Sequence, residues 1–308
     1  MPTDSGPCPY ELVGGGFGMQ RLKWSERIGQ SLNAIVLGLL AVAMFFPLYY
    51  VFVVSFTDPG EYLQKKIVLF PQRWSAEAYT YLLSTPAFAR SLGNSAFLAT
   101  VGTVCSLAVS SSLAYALSQK RFYFRKVLMF LIVLTILFSP GIIPNYLLVR
   151  ELGLINNIWA LILPALANGW TVLLMKNFFD SLPAEISEAA SIDGCSAIRT
   201  WYTIVLPLSM PALAAFGLFF AVGYWNQFFA ALLYLNDSAK WPIQVLLQNM
   251  LLNASNIDLV APGQQVETPP TEMLKMAAII VAIMPVLVVY PFIQKHFAKG
   301  AMVGSVKG

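Results

Sequence analysis

Six long apolar stretches limit the folds that this sequence can adopt. Each is close to the roughly 20 apolar residues that a helix needs to cross the hydrocarbon core of a membrane. The stretches are too long and too uniformly apolar for the alternating pattern of a membrane β-barrel. We therefore predict an all-α membrane protein with six transmembrane helices, over about residues 30–55, 91–117, 127–149, 156–175, 208–235 and 276–293.

The composition favours a membrane protein over a soluble one. Of the 308 residues, 57% are hydrophobic and 11% are charged, against roughly 25% charged in an average soluble domain. The net charge of +4 is spread over short connectors, which argues against nucleic-acid binding. Cys8, Cys105 and Cys195 are far apart and form no ligand spacing with the single histidine, His296. The sequence therefore predicts neither a metal site nor a disulfide framework.

Positive charges between the apolar stretches predict the orientation of the chain. Residues 119–126 contain four Lys or Arg residues and no acidic residue, and such connectors stay on the cytoplasmic side of the membrane. Both termini are then cytoplasmic as well. The predicted organisation is an N-terminal tail (1–28), a transmembrane domain (29–295) with a cytoplasmic loop (176–207) and an outer loop (236–275), and a C-terminal tail (296–308).

A short helix is predicted inside the cytoplasmic loop 176–207. Pro183 suits a first helical turn and Gly194 suits a helix end. The acidic residues Glu185 and Glu188 are expected in the N-terminal part of the helix, where the dipole favours negative charge. One face of this helix would carry residues spaced by three, four and seven positions, namely Ile186, Ala189, Ala190 and Asp193.

The spacing of seven residues in this loop resembles the EAA motif of membrane subunits of binding-protein-dependent ABC importers. The motif reads EAA, three residues, G, nine residues, I, one residue, LP. The residues that match it are Glu188, Ala189, Ala190, Gly194, Ile204, Leu206 and Pro207. The resemblance implies that the helix ending at Gly194 is a coupling helix, which docks in a cleft of a nucleotide-binding subunit. The alternative is an ordinary surface helix, but the length of the motif and its cytoplasmic side favour coupling.

Nearly the whole chain resembles the six-span, maltose-type sugar permease subunits. Segments 144–154, 224–228 and 290–297 carry this resemblance, and residues 304–308 are similar to the oligosaccharide branch. The resemblance implies import of a saccharide, in particular an oligosaccharide, delivered by an extracytoplasmic solute-binding protein that meets the outer loop. The sequence leaves open which saccharide is moved. A hint of an acidic one comes from positive residues in the first outer connector, Lys65, Lys66 and Arg73.

The sequence contains no phosphate-binding loop of the GxxxxGK[ST] type. The resemblance therefore implies that the chain is not an enzyme and binds no cofactor itself, and that two separate ATPase subunits hold ATP and Mg. It also implies a second, related permease subunit. The expected location is the bacterial inner membrane, in contact with lipid and with the solute-binding protein on the outer side.

Polar and aromatic side chains within the apolar stretches are candidates for a substrate pathway, because polar groups are costly in lipid and usually face a bundle interior. Saccharides bind to amides, hydroxyls and aromatic faces. This chemistry favours the cluster Tyr224, Trp225, Asn226 and Gln227, followed by Asn145 and Asn168. Each of them could instead bond to a neighbouring helix. The resembled family often has an acidic residue after the Trp-Asn pair, where this chain has Gln227.

Three other classes of function are alternatives to a saccharide importer. An ABC permease for a different solute would share all of these features. A membrane enzyme needs an acid pair, a metal cluster or a Ser/His arrangement at membrane depth, and the apolar stretches contain essentially no acidic residue or histidine. An ion-coupled secondary transporter usually shows inverted repeats and intramembrane charges, and neither is visible in this sequence.

Overall fold

The computed structural model describes residues 24–65, 67–252 and 269–304, with side chains over 29–65, 67–252 and 269–291. Residues 1–23 of the predicted N-terminal tail, Lys66, residues 253–268 of the outer loop and residues 305–308 of the predicted C-terminal tail lie outside these described residues. The described ranges are mostly helical and contain no strand, and their one β-type contact is the isolated bridge between Thr57 and Trp74. The all-α class predicted from the sequence therefore agrees with the structure.

Fifteen α-helices follow one another along the described ranges. They are α1 (Trp24–Ser55), α2 (Pro59–Gln64), α3 (Glu77–Ser84), α4 (Pro86–Phe97), α5 (Thr103–Ser118), α6 (Arg125–Leu137), α7 (Ile142–Glu151), α8 (Gly169–Asp180), α9 (Ala184–Ile192), α10 (Ala197–Thr200), α11 (Leu206–Leu208), α12 (Met210–Trp225), α13 (Phe229–Tyr234), α14 (Ile243–Leu252) and α15 (Thr271–Gly304). Two π-helical segments, Leu98–Gly102 and Trp201–Val205, join α4 to α5 and α10 to α11.

The chain divides into two compact units, Met1–Tyr49 and Tyr50–Gly308. The described part of the first unit belongs to α1, and its large apolar side chains are exposed, with Met44 exposed at 73%. Contiguous apolar surface of this kind is costly in water and marks a surface that contacts lipid or another protein.

The second unit is built around three apolar clusters. One lies where α5 packs against α8 and contains the buried Leu117 and Met175. A second surrounds Tyr224 at the end of α12. The third joins α3 and α4 to α14 and α15, with Phe88 at its centre. The side chains of α12 thus connect helices that lie far apart in the sequence.

Three helical segments among the described residues are long and apolar enough to cross a membrane: Gly29–Ser55, Pro86–Ser118 and Thr271–Pro291. Two bent pairs pass the same criterion together, which raises the number to five if each pair forms one span. They are Ile158–Ala165 with Gly169–Asp180, bent by 48°, and Ala197–Leu208 with Met210–Trp225, bent by 87°. Three of the six predicted stretches therefore fall on single long helical segments, and 156–175 falls on the first bent pair. The stretch 208–235 overlaps the second pair only up to Trp225.

The remaining predicted stretch, 127–149, does not form one unbroken helix. It falls on α6 and α7, which are separated by the non-helical residues 138–141. Pro140 lacks a backbone N–H and disfavours helical geometry at the residue before it, while Gly141 has φ +84°. A 13-residue helix such as α6 is about 20 Å long, shorter than the roughly 30 Å hydrocarbon core.

The side-chain carboxylate of Glu61 stabilises the connector between α1 and α3 by hydrogen bonds. Both carboxylate oxygens of Glu61 accept the single backbone N–H of Gln72, at 2.9 and 3.1 Å, and one of them also accepts the backbone N–H of Arg73 at 3.0 Å. Lys65 pairs with the same group at 3.1 Å. The Arg73 amide, with Lys65 and the Gln72 amide, holds the pKa of Glu61 below its usual value of 4.5, against the opposing effect of desolvation.

We expect the order of this connector to depend on pH in the acid range. Because the pKa of Glu61 is lowered by folding, its contribution to stability is complete above pH 4.5 and is lost as the pH falls through the folded value. Hydrogen exchange at the Gln72 and Arg73 amides, corrected for intrinsic rates, should show protection at pH 7 that declines below pH 4.5. In the Glu61→Gln variant the protection should be weaker and should no longer change with pH. If the variant instead keeps the pH dependence of the wild type, this account is wrong.

Candidate functional site

The helix α9 has the ends that its sequence predicts. Pro183 occupies the N-cap position, and at the other end Gly194 has φ +73°. The N–H of Gly194 donates to the carbonyl oxygen of Ser191 at 3.2 Å, and that of Cys195 donates to Ala190 at 2.9 Å. This pair of bonds is a Schellman motif, which satisfies the last carbonyl groups and requires a left-handed residue after the helix. Gly194 therefore fixes where α9 ends.

The two sides of α9 differ in exposure. Ala190 is buried and Ile186 is half-buried, so this side packs against the protein. The exposed part of the helix presents Glu188 and Ile192 on the opposite side and Ala189 and Asp193 at the margin of the packed side, and we call these four residues the α9 surface. Ile192 is exposed at 87%, although the face predicted from spacing did not include it. Because Ile192 lies six residues after Ile186, it points away from the side that the burial of Ala190 identifies as packed.

The loop continues from α9 into a helical segment that meets α12 at a sharp bend. The Ser196 Oγ caps α10 by accepting the N–H of Arg199 at 3.3 Å. The helical path then runs through the π segment, where Ile204 is half-buried, to α11, where Leu206 is half-buried and Pro207 is exposed. The 87° bend follows at Ser209, where Pro211 supplies no backbone N–H to continue the helix. The motif residues of the second half thus form the link between α9 and α12.

Tyr224 and Trp225, at the end of α12, are buried and bonded inside the protein. The hydroxyl groups of Tyr224 and Ser106 lie 2.8 Å apart, and Tyr224 also donates to the carbonyl oxygen of Ile162 at 3.4 Å. Trp225 donates its Nε1–H to the carbonyl oxygen of Ala282 at 2.9 Å. These bonds hold α12 to α5 and α15. Both residues therefore bond to neighbouring helices, which is the alternative to a role in binding substrate.

The next two candidates, Asn226 and Gln227, make fewer bonds inside the protein. Asn226 follows α12 and is exposed. Gln227 donates its side-chain N–H to the carbonyl oxygen of Leu161 at 3.1 Å, while its Oε1 is buried and has no partner among the described residues. A buried acceptor without a donor is costly. Gln227 is thus tied to the backbone at Leu161 and keeps one acceptor unsatisfied within the described part of the protein.

Asn145 and Asn168 lie apart from that cluster in the sequence and differ in role. Asn145 is exposed on α7. Asn168 caps α8, because its Oδ1 accepts the N–H groups of Trp170 at 3.0 Å and Thr171 at 3.3 Å. No group of three or more His, Cys, Asp or Glu residues that could hold a metal ion occurs within the described ranges.

The family model of binding-protein-dependent transport system inner membrane components matches residues 106–303, which include the whole α9 loop and α12. This chain belongs to that family. It is a permease subunit of the ABC importer type, and the family description places its members in transport systems that depend on a binding protein.

Known relatives of this permease span nearly its full length. It is 47% identical over 272 residues to the polygalacturonan/rhamnogalacturonan transport system permease protein YtcP of Bacillus subtilis, covering 88% of this chain and 95% of YtcP. It is 44% identical to protein LplC of the same organism, over 92% of this chain and 96% of LplC. A solved bacterial ABC transporter that imports the acidic polysaccharide alginate contains a chain of similar structure, with a TM-score of 0.80, 32% identity, and coverage of 90% of this chain and 99% of the other.

Proposed function

We propose that this permease is one of two membrane subunits of an importer that moves an acidic oligosaccharide, built from uronic acids, from a solute-binding protein into the cell. The observation that carries the proposal is the 47% identity to a permease named for polygalacturonan and rhamnogalacturonan. Similarity to a chain of an alginate importer supports the same chemistry, since alginate is also acidic. Two separate ATPase subunits would bind ATP and Mg and supply the energy.

The proposed topology has six spans with both termini in the cytoplasm. The interrupted pair α6 and α7 would form the third span, because non-helical backbone within a membrane is tolerated where other protein segments cover it. The basic connector 119–126 and the loop 176–207 would then share the cytoplasmic side. Arg73 and Arg90 would lie outside, where both are exposed and form no ion pair with described residues. Their charge suits an acidic substrate.

The α9 surface is the proposed contact with the ATPase. It combines the acids Glu188 and Asp193 with the exposed apolar Ile192, and such a mixture suits a cleft that offers basic groups around an apolar floor. Movement of α9 would reach α12 through the helical link and its bend. Asn226 and Gln227 stand at the far end of α12, so we assign them to the substrate pathway with Asn145 as a further candidate.

The proposal is tested by uptake into proteoliposomes that hold the full transporter with its ATPase pair, partner permease and binding protein. We expect ATP-dependent uptake of labelled trigalacturonate to exceed that of neutral maltotriose by at least about tenfold, a difference of 1.4 kcal/mol in recognition. An imposed ion gradient without ATP should drive none. In the same assay Asn226→Ala should raise KM, whereas thermal stability should not change because Asn226 is exposed.

Each contrary result identifies another function. Equal uptake of the neutral and acidic trisaccharides would contradict the proposed preference for an acidic substrate. Uptake driven by an ion gradient without ATP would indicate a secondary transporter. Preference for a small phosphate ester is the outcome that another relative suggests, since the chain is 31% identical over 275 residues to the sn-glycerol-3-phosphate permease protein UgpE of Yersinia pestis.

A further inference from the structure

A groove of about 740 Å³ lies between the connector after α5, the first turns of α6 and the end of α8. Positive side chains line it, namely Lys120, Arg121, Arg125, Lys126 and Lys176. Asp180, which lies one turn after Lys176 on α8, pairs with that lysine. Five positive charges therefore stand against one neighbouring carboxylate, and the groove has a strong preference for an anion.

Three of these cations have no side-chain partner in the part of the chain that the structure describes. Lys120, Arg121 and Lys126 are exposed and make no hydrogen bond or ion pair from their side chains within the described ranges. Arg125 is held in place, because its Nε–H donates to the carbonyl oxygen of Leu117 at 2.8 Å. The groove thus combines one fixed guanidinium group with three cations that are available to a ligand.

The groove also contains the positive end of a helix. The 13-residue α6 begins at Arg125, and Phe124 at its N-cap position offers no side-chain oxygen to the first amides. Uncapped amides at a helix N-terminus favour a phosphate or another anion. The helix end and the side-chain cations therefore favour the same kind of ligand at the same place.

One wall of the groove is apolar and continues along α6. Met129, Phe130 and Val133 line it, no residue of α6 is buried, and Phe130 is exposed at 65%. Tyr123, exposed at 90%, stands beside the cations, as aromatic side chains do at the level of lipid headgroups. A soluble anion would contact only the cations, whereas an anionic lipid would contact the cations with its headgroup and the apolar wall with an acyl chain.

We propose that this groove binds one anionic phospholipid of the cytoplasmic leaflet, with its phosphate near Arg121, Lys126 and the start of α6 and an acyl chain along Phe130 and Val133. The placement rests on the proposed topology but not on the nature of the transported solute. Basic pockets on the cytoplasmic side of membrane proteins bind acidic headgroups in this way. A purely orienting role of the basic connector explains its charge but neither the fixed Arg125 nor the apolar wall.

The test is native mass spectrometry of the intact transporter, released from nanodiscs that hold equal amounts of phosphatidylglycerol and phosphatidylcholine, without saccharide. We expect the wild type to retain phosphatidylglycerol selectively, and the double variant Arg121→Gln/Lys126→Gln to retain one molecule fewer per permease. The matched control Lys65→Gln/Arg150→Gln removes the same number of positive charges from the end of α2 and the last turn of α7 and should retain as much as the wild type. The charge-keeping variant Arg121→Lys/Lys126→Arg should retain the lipid as well.

Co-purification with the ATPase subunits checks that the variants are inserted in the correct orientation. Equal retention of both lipids by the wild type would overturn the proposal without recourse to any variant. An equal loss in the control, or loss of the bound lipid to millimolar inorganic phosphate, would do the same, because the first indicates a general charge effect and the second a soluble-anion site. Lipid bound only when the ATPase subunits are absent would instead assign the groove to an ATPase contact.

Discussion

A transporter with Gly194→Val is expected to assemble with its ATPase subunits but to import substrate at about a tenth of the normal rate or less. The φ of +73° at Gly194 costs an L-residue about 1–2 kcal/mol, which corresponds to about 5- to 30-fold in the population of the native helix end. A β-branched side chain is among the least suited to that conformation. Loss of the Schellman motif would displace Ile192 and Asp193 from the α9 surface.

The matched control is Gly194→Asn, because asparagine tolerates the left-handed conformation far better than valine. An added Cβ meets no atom within 4 Å in this subunit, so both variants test backbone conformation in the free chain. We expect Gly194→Asn to keep most of the uptake rate, with ATP hydrolysis still stimulated by the loaded binding protein. Normal coupled transport by Gly194→Val would contradict the role assigned to the end of α9.

The second large effect is expected for Gly102→Leu, which should lower the thermal unfolding temperature of the purified subunit by about 5–10 °C. A Cβ at Gly102 would lie 2.8 Å from three ring atoms of Tyr224. That ring has little freedom to move, since its hydroxyl is bonded to Ser106 and Ile162. Overpacking of this kind costs about 1–3 kcal/mol or more.

Gly93→Leu provides the control on the same long helical segment. A Cβ at Gly93 meets nothing within 4 Å, and leucine has a higher helix propensity than glycine. Its unfolding temperature, followed by tryptophan fluorescence in detergent, should equal or slightly exceed that of the wild type. A similar loss in both variants would show that the close approach of Gly102 to Tyr224 is not the cause.

Local sequence signals predicted the parts of the molecule that depend on neighbouring residues. Pro183 and Gly194 gave the ends of α9 to within one or two residues, because capping depends on the residue at the helix end itself. Most of the apolar residues likewise lie in helical segments, since an apolar run in lipid must satisfy its own backbone hydrogen bonds. Family membership followed from the motif in α9 and the link after it.

Features that depend on distant partners could not be predicted from the sequence. The bonds of Tyr224 and Trp225 go to residues 118, 62 and 57 positions away, so a sequence alone cannot tell a helix anchor from a sugar ligand. The break at residues 138–141 was signalled by Pro140 and Gly141, but the same residues can also produce a tolerated kink. The exposure of Ile192 required knowledge of which side of α9 packs.

The π segment Leu98–Gly102 has a consequence for how this permease can evolve. A π turn contains one residue more than an α turn, and one residue of an α-helix corresponds to a rotation of about 100°. Deleting a single residue there would return the turn to α geometry, so α5 would keep nearly the same rotation relative to α4, and Ser106 and Ser110 would stay directed at Tyr224 and Leu166. The same deletion inside α5 would instead rotate every side chain that follows by about 100°. The π segment is therefore the place on this long helix where the loss of one residue is expected to be tolerated best.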